Sequence, residues 1–150
     1  MVNIKQKITP FLWYENQAKE AAEFYCSIFK NSKILSVTPM IVTFELEGQK
    51  FIGLNGGPQF KFTEAISFVV DCETQEEVDG LWEKFTAHGG QESQCGWLKD
   101  KFGMSWQIIP SILMKLMGDP DPEKSQRVMQ AMLKMKKIEI KDLQAAYDQK

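Results

Sequence analysis

Gln107 is the residue whose type and position carry the most chemistry in this chain. It lies in Cys95-Gly96-Trp97-Leu98-Lys99-Asp100-Lys101-Phe102-Gly103-Met104-Ser105-Trp106-Gln107-Ile108-Ile109-Pro110, which reads as two short strands about a turn at 100–103. Side chains alternate along a strand, so Ser105, Gln107 and Ile109 share one face and Trp106 and Ile108 the other. An amide on an otherwise buriable strand must find hydrogen-bond partners or a ligand. The segment therefore points to a polar-lined cavity.

The other reactive groups are fewer and plainer. Cys95 beside Gly96 offers a thiol, but a nucleophile needs a base or a setting that lowers its pKa, and neither is evident in the nearby sequence. The three cysteines, Cys26, Cys72 and Cys95, are odd in number and lack zinc spacing, which fits reduced thiols. The single histidine, His88, precedes Gly89-Gly90 and reads as a solvated residue at a helix end, so one subunit has no two-histidine metal site. Glu45 and Asp71 read as an exposed strand residue and a helix-cap neighbour. Gly56-Gly57-Pro58 follows a strand without turning into a helix, so it lacks the nucleotide-site pattern and reads as a connector.

The elements that must position these groups repeat one plan. Residues 8–14 read as a strand, and Asn16 can cap a helix with apolar residues at Ala18, Ala21, Ala22, Tyr25, Ile28 and Phe29. Strand-like runs follow at 34–38, 41–46 and 51–55, with Glu47-Gly48 as a turn. The plan then restarts. Residues 65–70 form a strand, Thr74 and Glu77 a capping box, and Val78, Leu81, Trp82 and Phe85 the next helical stripe, which Gly89-Gly90 ends. Short strands are expected at 91–93, 96–99 and 105–109. The fold class is α+β: two βαβββ modules, at about 4–57 and 64–110, in one domain over 1–118. A helical tail follows over 119–150, where Pro122 takes a first helical position and Val128, Met129, Met132 and Leu133 form a stripe. The methionine-rich helices are expected to close over the second half or over a partner subunit.

Bulk properties narrow the partners. A formal charge of −2 without a clustered basic face gives no case for nucleic acid. No apolar run approaches the roughly 20 residues of a membrane helix, and residues 1–6 carry no signal-peptide pattern. A cytoplasmic location is expected.

The motifs Ala21-Ala22-Glu23-Phe24-Tyr25, Leu54-Asn55-Gly56-Gly57-Pro58, Gly96-Trp97-Leu98-Lys99-Asp100-Lys101-Phe102-Gly103 and Trp106-Gln107-Ile108-Ile109-Pro110 carry a resemblance. With the two-module plan, the chain resembles the glyoxalase/bleomycin-resistance/extradiol-dioxygenase (vicinal oxygen chelate) superfamily. Within it, the chain is similar to the PhnB-like branch labelled "3-demethylubiquinone-9 3-methyltransferase". The resemblance implies modules that curl into open U-shaped sheets enclosing a ligand site, usually in a homodimer. Relatives carry a longer loop where only Thr38-Pro39-Met40 stands here.

Strand-to-strand matching puts the superfamily's metal-ligand places on Pro10, Gly53, Ala65 and Gln107. Three of these have no side-chain ligand atom, and a neutral amide oxygen is a weak donor, so no metal and no cofactor are expected. If those four mark the concave face, Leu12, Tyr14, Phe51, Asn55, Ser67, Val69, Ser105 and Ile109 share it. Phe11, Trp13, Ile52, Leu54, Ile66, Phe68, Trp106 and Ile108 then pack under the helices. The expected ligand-binding residues are Tyr14, Asn55, Ser67, Trp97 and Gln107. The function this implies is metal-free binding of a small molecule by a homodimer. The alternative is a lyase, isomerase or dioxygenase-type enzyme with an unusual metal site; methyltransferase activity is not expected.

Overall fold

A computed structural model describes residues 5–149; the expected start of the first module near residue 4 lies outside the described residues. The chain forms two compact units, one ending at Phe62 and one beginning at Thr63.

The first unit is built from β1 (Phe11–Tyr14), α1 (Ala18–Ile28), β2 (Ser32–Val37), β3 (Ile41–Leu46) and β4 (Gln49–Asn55), with sheet order β1-β4-β3-β2. β1 runs parallel to β4 and the other pairs are antiparallel. The expected helix cap is different. Asn16 is not the cap; instead Asn55 at the end of β4 accepts a hydrogen bond of 2.8 Å from the Ala18 N–H, satisfying one of the orphan donors of the first turn.

The second unit repeats the order with β5 (Ser67–Cys72), α2 (Gln75–Thr86), β6 (Gln91–Glu92), β7 (Trp97–Lys99) and β8 (Ser105–Pro110), in sheet order β5-β8-β7-β6. β5 begins at Ser67, so Ala65 stands before the strand. The Thr74 hydroxyl caps α2 by accepting from the Glu77 N–H at 3.1 Å, as the capping-box signal predicts. The tail follows as α3 (Ser111–Met117), α4 (Pro122–Leu133) and α5 (Ile140–Asp148), packed within this same unit. Pro122 opens α4, and the Asp121 carboxylate accepts from the Glu123 N–H at 3.0 Å. No helix of the described residues is long and apolar enough to cross a membrane.

Strand parity holds in both sheets, but in the first the two faces are exchanged relative to expectation. Leu12, Tyr14, Phe51 and Gly53 lie against α1 and not on the open face. The Tyr14 and Tyr25 hydroxyls share a hydrogen bond of 3.0 Å, and Phe51 stacks on Phe44, which in turn meets Tyr25. At Gly53 a β-carbon would stand 3.2 Å from the Ala18 β-carbon, so the missing side chain lets the helix approach the sheet. Phe11 and Trp13 occupy the other face, and Phe11 remains 53% exposed. In the second sheet the strand residues face as expected, but Ile66, expected to pack under the helices, stands before β5 and is 54% exposed. Phe68 and Trp106 are in ring contact, Trp106 meets Phe85 of α2, and Val69 on the opposite side is 62% exposed.

Candidate functional site

The open face of the second sheet is built row by row from strand register. Ser67, Ser105 and Lys99 are aligned in one row, and Val69, Gln107 and Trp97 in the next. Asp71 and Ile109 form a third. Partners in register share a face, so these side chains project together on the side opposite α2.

Within the first two rows the polar groups meet. The Gln107 amide donates to the Ser67 hydroxyl at 2.9 Å, and Gln107 is half-buried rather than sealed. Ser105 is 1% exposed, and its hydroxyl has no hydrogen-bond partner among the described residues. A buried hydroxyl without a partner costs about 1–3 kcal/mol, so it calls for an external group or water. Lys99 is ion-paired to Glu64, whose carboxyl that lysine's hydrogen bond lowers below its usual range.

The turn before this strand has a structural explanation that sequence reasoning missed. Asp100 is buried, and one of its oxygens accepts from the Phe102 and Met104 N–H groups at 2.8 and 3.0 Å. The other accepts from the Trp106 indole at 2.9 Å. The Asp-Lys-Phe-Gly spacing, with Gly103 at φ 91°, was the available signal for a side-chain-organised turn. Asp100 thereby fixes Trp106 under α2, and alternation then turns Gln107 outward.

Two of the five expected ligand residues have other partners. Tyr14 is 2% exposed beneath α1, and Asn55 holds the start of that helix while its amide donates to the Pro39 carbonyl at 3.0 Å. Ser67, Trp97 and Gln107 stand on one sheet face in adjoining rows. The Trp13 indole donates to the Gly57 carbonyl at 2.9 Å and its ring meets Phe60 edge-on, so Gly56-Gly57 serves the connector. Burial, with the charges of Glu77 and Asp71 adding to it, pushes the Cys72 thiol up to about 12, and burial raises Cys26 as well. Neither is set up as a thiolate nucleophile.

Each βαβββ unit has the fold seen in solved glyoxalase-related and bleomycin-resistance structures. The chain belongs to the family described as 3-demethylubiquinone-9 3-methyltransferase, whose match spans residues 6–109. A solved PhnB protein from Bacillus cereus with the same methyltransferase label is 36% identical, with 71% of this chain and 100% of that chain covered and a TM-score of 0.66. Two more distant structures share the fold. A glyoxalase-related enzyme from Fulvimarina pelagi is 15% identical over 72% of this chain and 91% of that one, with a TM-score of 0.52. The fosfomycin resistance protein FosX from Listeria monocytogenes, solved with Mn(II) and sulfate, is 16% identical over 69% of this chain and 88% of that one, also at 0.52. No match was found among curated protein sequences.

The residues on this face do not fit the metal that the superfamily implies. Its first two rows offer two hydroxyls, a neutral amide, an ion-paired lysine and an indole that has no ligand atom, a poor set for a transition ion. Asp71, the carboxylate in the third row, accepts from the Ser111 hydroxyl at 2.7 Å. Among the described residues, no three His, Cys, Asp or Glu side chains gather where they could hold an ion. Of the expected ligand places, Gly53 lies against α1 and Ala65 outside its strand.

Proposed function

We propose that the protein is a metal-free small-molecule-binding member of its family, working as a cytoplasmic homodimer, with the open face of the second sheet as its recognition surface. The observation that carries this reading is the pairing of the half-buried Gln107 amide with the Ser67 hydroxyl at 2.9 Å, on the face turned away from α2. Trp97, opposite Gln107 in register, adds an aromatic wall. A few hydrogen-bonding groups set among apolar surface are the usual composition of a small-molecule site. The ligand class this favours has a neutral polar head, met by the Gln107 amide and the Ser67 hydroxyl, joined to an apolar body.

Native mass spectrometry of the purified protein tests the reading. The wild type is expected to carry a small-molecule adduct, and Gln107→Leu, which keeps bulk but removes donor and acceptor, is expected to lose it. With the adduct identified, affinity should fall by about 1–3 kcal/mol, the cost of an unpaired buried group. An adduct retained at full occupancy by Gln107→Leu overturns the assignment. Elemental analysis finding about one zinc, nickel, iron or manganese per subunit after chelation would contradict the metal-free part. Light scattering at tens of micromolar (roughly far above nanomolar affinities) is expected to give a dimer mass.

A further inference from the structure

The open face of the second sheet changes character along its strands. The first row, Ser67–Ser105–Lys99, is polar, and the second mixes Gln107 with Val69 and Trp97. In the third row, Ile109 is only 8% exposed because the tail covers it, packing with Leu113, Leu116, Val128, Ile138 and Leu143. The third row's polar residue, Asp71, is engaged by Ser111 at the start of α3. Ile109 follows Gln107 by two residues on the same face, so the tail begins about one strand repeat, roughly 7 Å, from the amide.

This covering is fixed to the sheet and not merely laid on it. The N–H groups of Cys95 and Gly96 donate to the Met135 and Lys136 carbonyls at 2.8 and 2.7 Å, while the Ile108 N–H donates to the Gly96 carbonyl at 2.8 Å. The Gln75 amide donates to the Ile138 carbonyl at 3.0 Å and accepts from the Ile140 N–H at 2.7 Å. At Gly96, with φ 84°, a β-carbon would stand 2.9 Å from Ile109 and 3.0 Å from Ile138. Only glycine allows this approach with that backbone. The tail lies beyond the stretch that matches the family, which ends at residue 109.

We infer that the helical tail is the apolar end wall of the ligand face, and that Ile109, backed by the fully buried Ile138, is a specificity-determining residue that limits the length of ligand accepted. This rests on the ligand reading proposed above. The polar head lies at the Ser105–Gln107 end and the apolar end of the ligand points toward Ile109. A wall of branched aliphatic side chains held by backbone hydrogen bonds sets a length cut-off, because lengthening a ligand against it forces the packed core to move.

A series of para-alkylbenzamides from methyl to hexyl, with binding followed by ligand-observed NMR, tests this on the full chain. For the wild type, affinity is expected to rise with alkyl length and then fall sharply. Ile138→Ala should move the optimum to chains longer by roughly two carbons and strengthen the longest member about tenfold, the order expected from burying two further methylene groups. Gln107→Leu should weaken the whole series and leave the optimum in place. If Ile138→Ala proves unfolded by circular dichroism, Ile138→Val should move the optimum by a smaller step. An unmoved optimum in a folded variant, with the series still weakened by Gln107→Leu, overturns the tail's role and leaves the ligand reading standing. Binding by no member, or binding indifferent to Gln107→Leu, overturns the ligand reading and the wall with it.

Discussion

Gln107 and Tyr14 present the same kind of group to opposite surroundings. The Gln107 amide meets Ser67 on a face turned away from its helix, whereas the Tyr14 hydroxyl meets Tyr25 beneath α1. The first pair is half-buried on a face turned away from α2. The second lies in the core, with both tyrosines buried. Tyr14→Phe is therefore expected to cost about 0.5–1.5 kcal/mol of stability, the net worth of one buried hydrogen bond, through loss of the Tyr14–Tyr25 bond. Urea unfolding would show this as a lowered midpoint at unchanged slope. The same variant should leave the adduct seen by native mass spectrometry in place. Loss of that adduct in Tyr14→Phe would return Tyr14 to the binding surface.

At the scale of elements, the hairpin of β7 and β8 is held by one buried carboxylate. Asp100 accepts from two backbone N–H groups in the turn and from the Trp106 indole. Asp100→Ala removes the acceptor of three hydrogen bonds, two of them buried, and is expected to cost about 3 kcal/mol or more, since hydrogen bonds to a charged group are the stronger kind. Thermal unfolding followed by tryptophan fluorescence checks it, and a change below about 1 kcal/mol would show that water replaces the carboxylate there. The hairpin of β3 and β4 carried a signal of another kind. Glu47 and Gly48, both at positive φ, make a two-residue turn that pairs Leu46 with Gln49, Glu45 with Lys50 and Thr43 with Ile52. The polar Thr43 and Glu45 thus mark Ile52 as a residue of the open face, and Phe51 and Gly53 as its opposites. The expectation drawn from Pro10 and Gly53 as ligand places left this signal unused and assigned the first sheet's faces backwards.

At the scale of the whole chain, the tail is integrated into the second unit by charge as well as by packing. The Lys137 ammonium bonds the Asp79 carboxylate of α2 at 2.7 Å. That bond, together with the Gln75 amide, holds the Asp79 carboxyl below its usual range, and it raises Lys137 above its own. A carboxyl lowered by folding contributes stability above its unfolded value near 4, and the contribution is lost as pH falls through the folded value. A raised lysine contributes fully below about 10.4, and its share is lost as pH rises through its folded value. The pair therefore supports the tail between about pH 4 and pH 10.4. Both side chains are partly exposed, so its worth is at most about 1 kcal/mol. Lys137→Met is expected to lower stability by up to about that amount at pH 7 and by less at pH 3. Urea titrations at the two pH values measure the difference, and an equal loss at both would assign the effect to packing.

The order of elements, the helix stripes, the Thr74 cap, the Pro122 helix start and the outward turn of Gln107 were determined by the sequence itself. Each depends on neighbours within a few residues, and in the second module Ser67, Ser105 and Gln107 stand against Phe68, Trp106 and Ile108, so alternation carries a sign. β1 reads Phe-Leu-Trp-Tyr, apolar or aromatic on both faces, so its parity is fixed locally but not which face meets α1. Tertiary packing decided that, through the fit of Ala18 over Gly53 and the meeting of Tyr14 with Tyr25. It also decided that Asn55 should hold a helix terminus 37 residues away and that the tail should lock onto Cys95 and Gly96. Those contacts join residues far apart in the chain, and no local pattern specifies which distant partner a hydrogen-bonding group will meet.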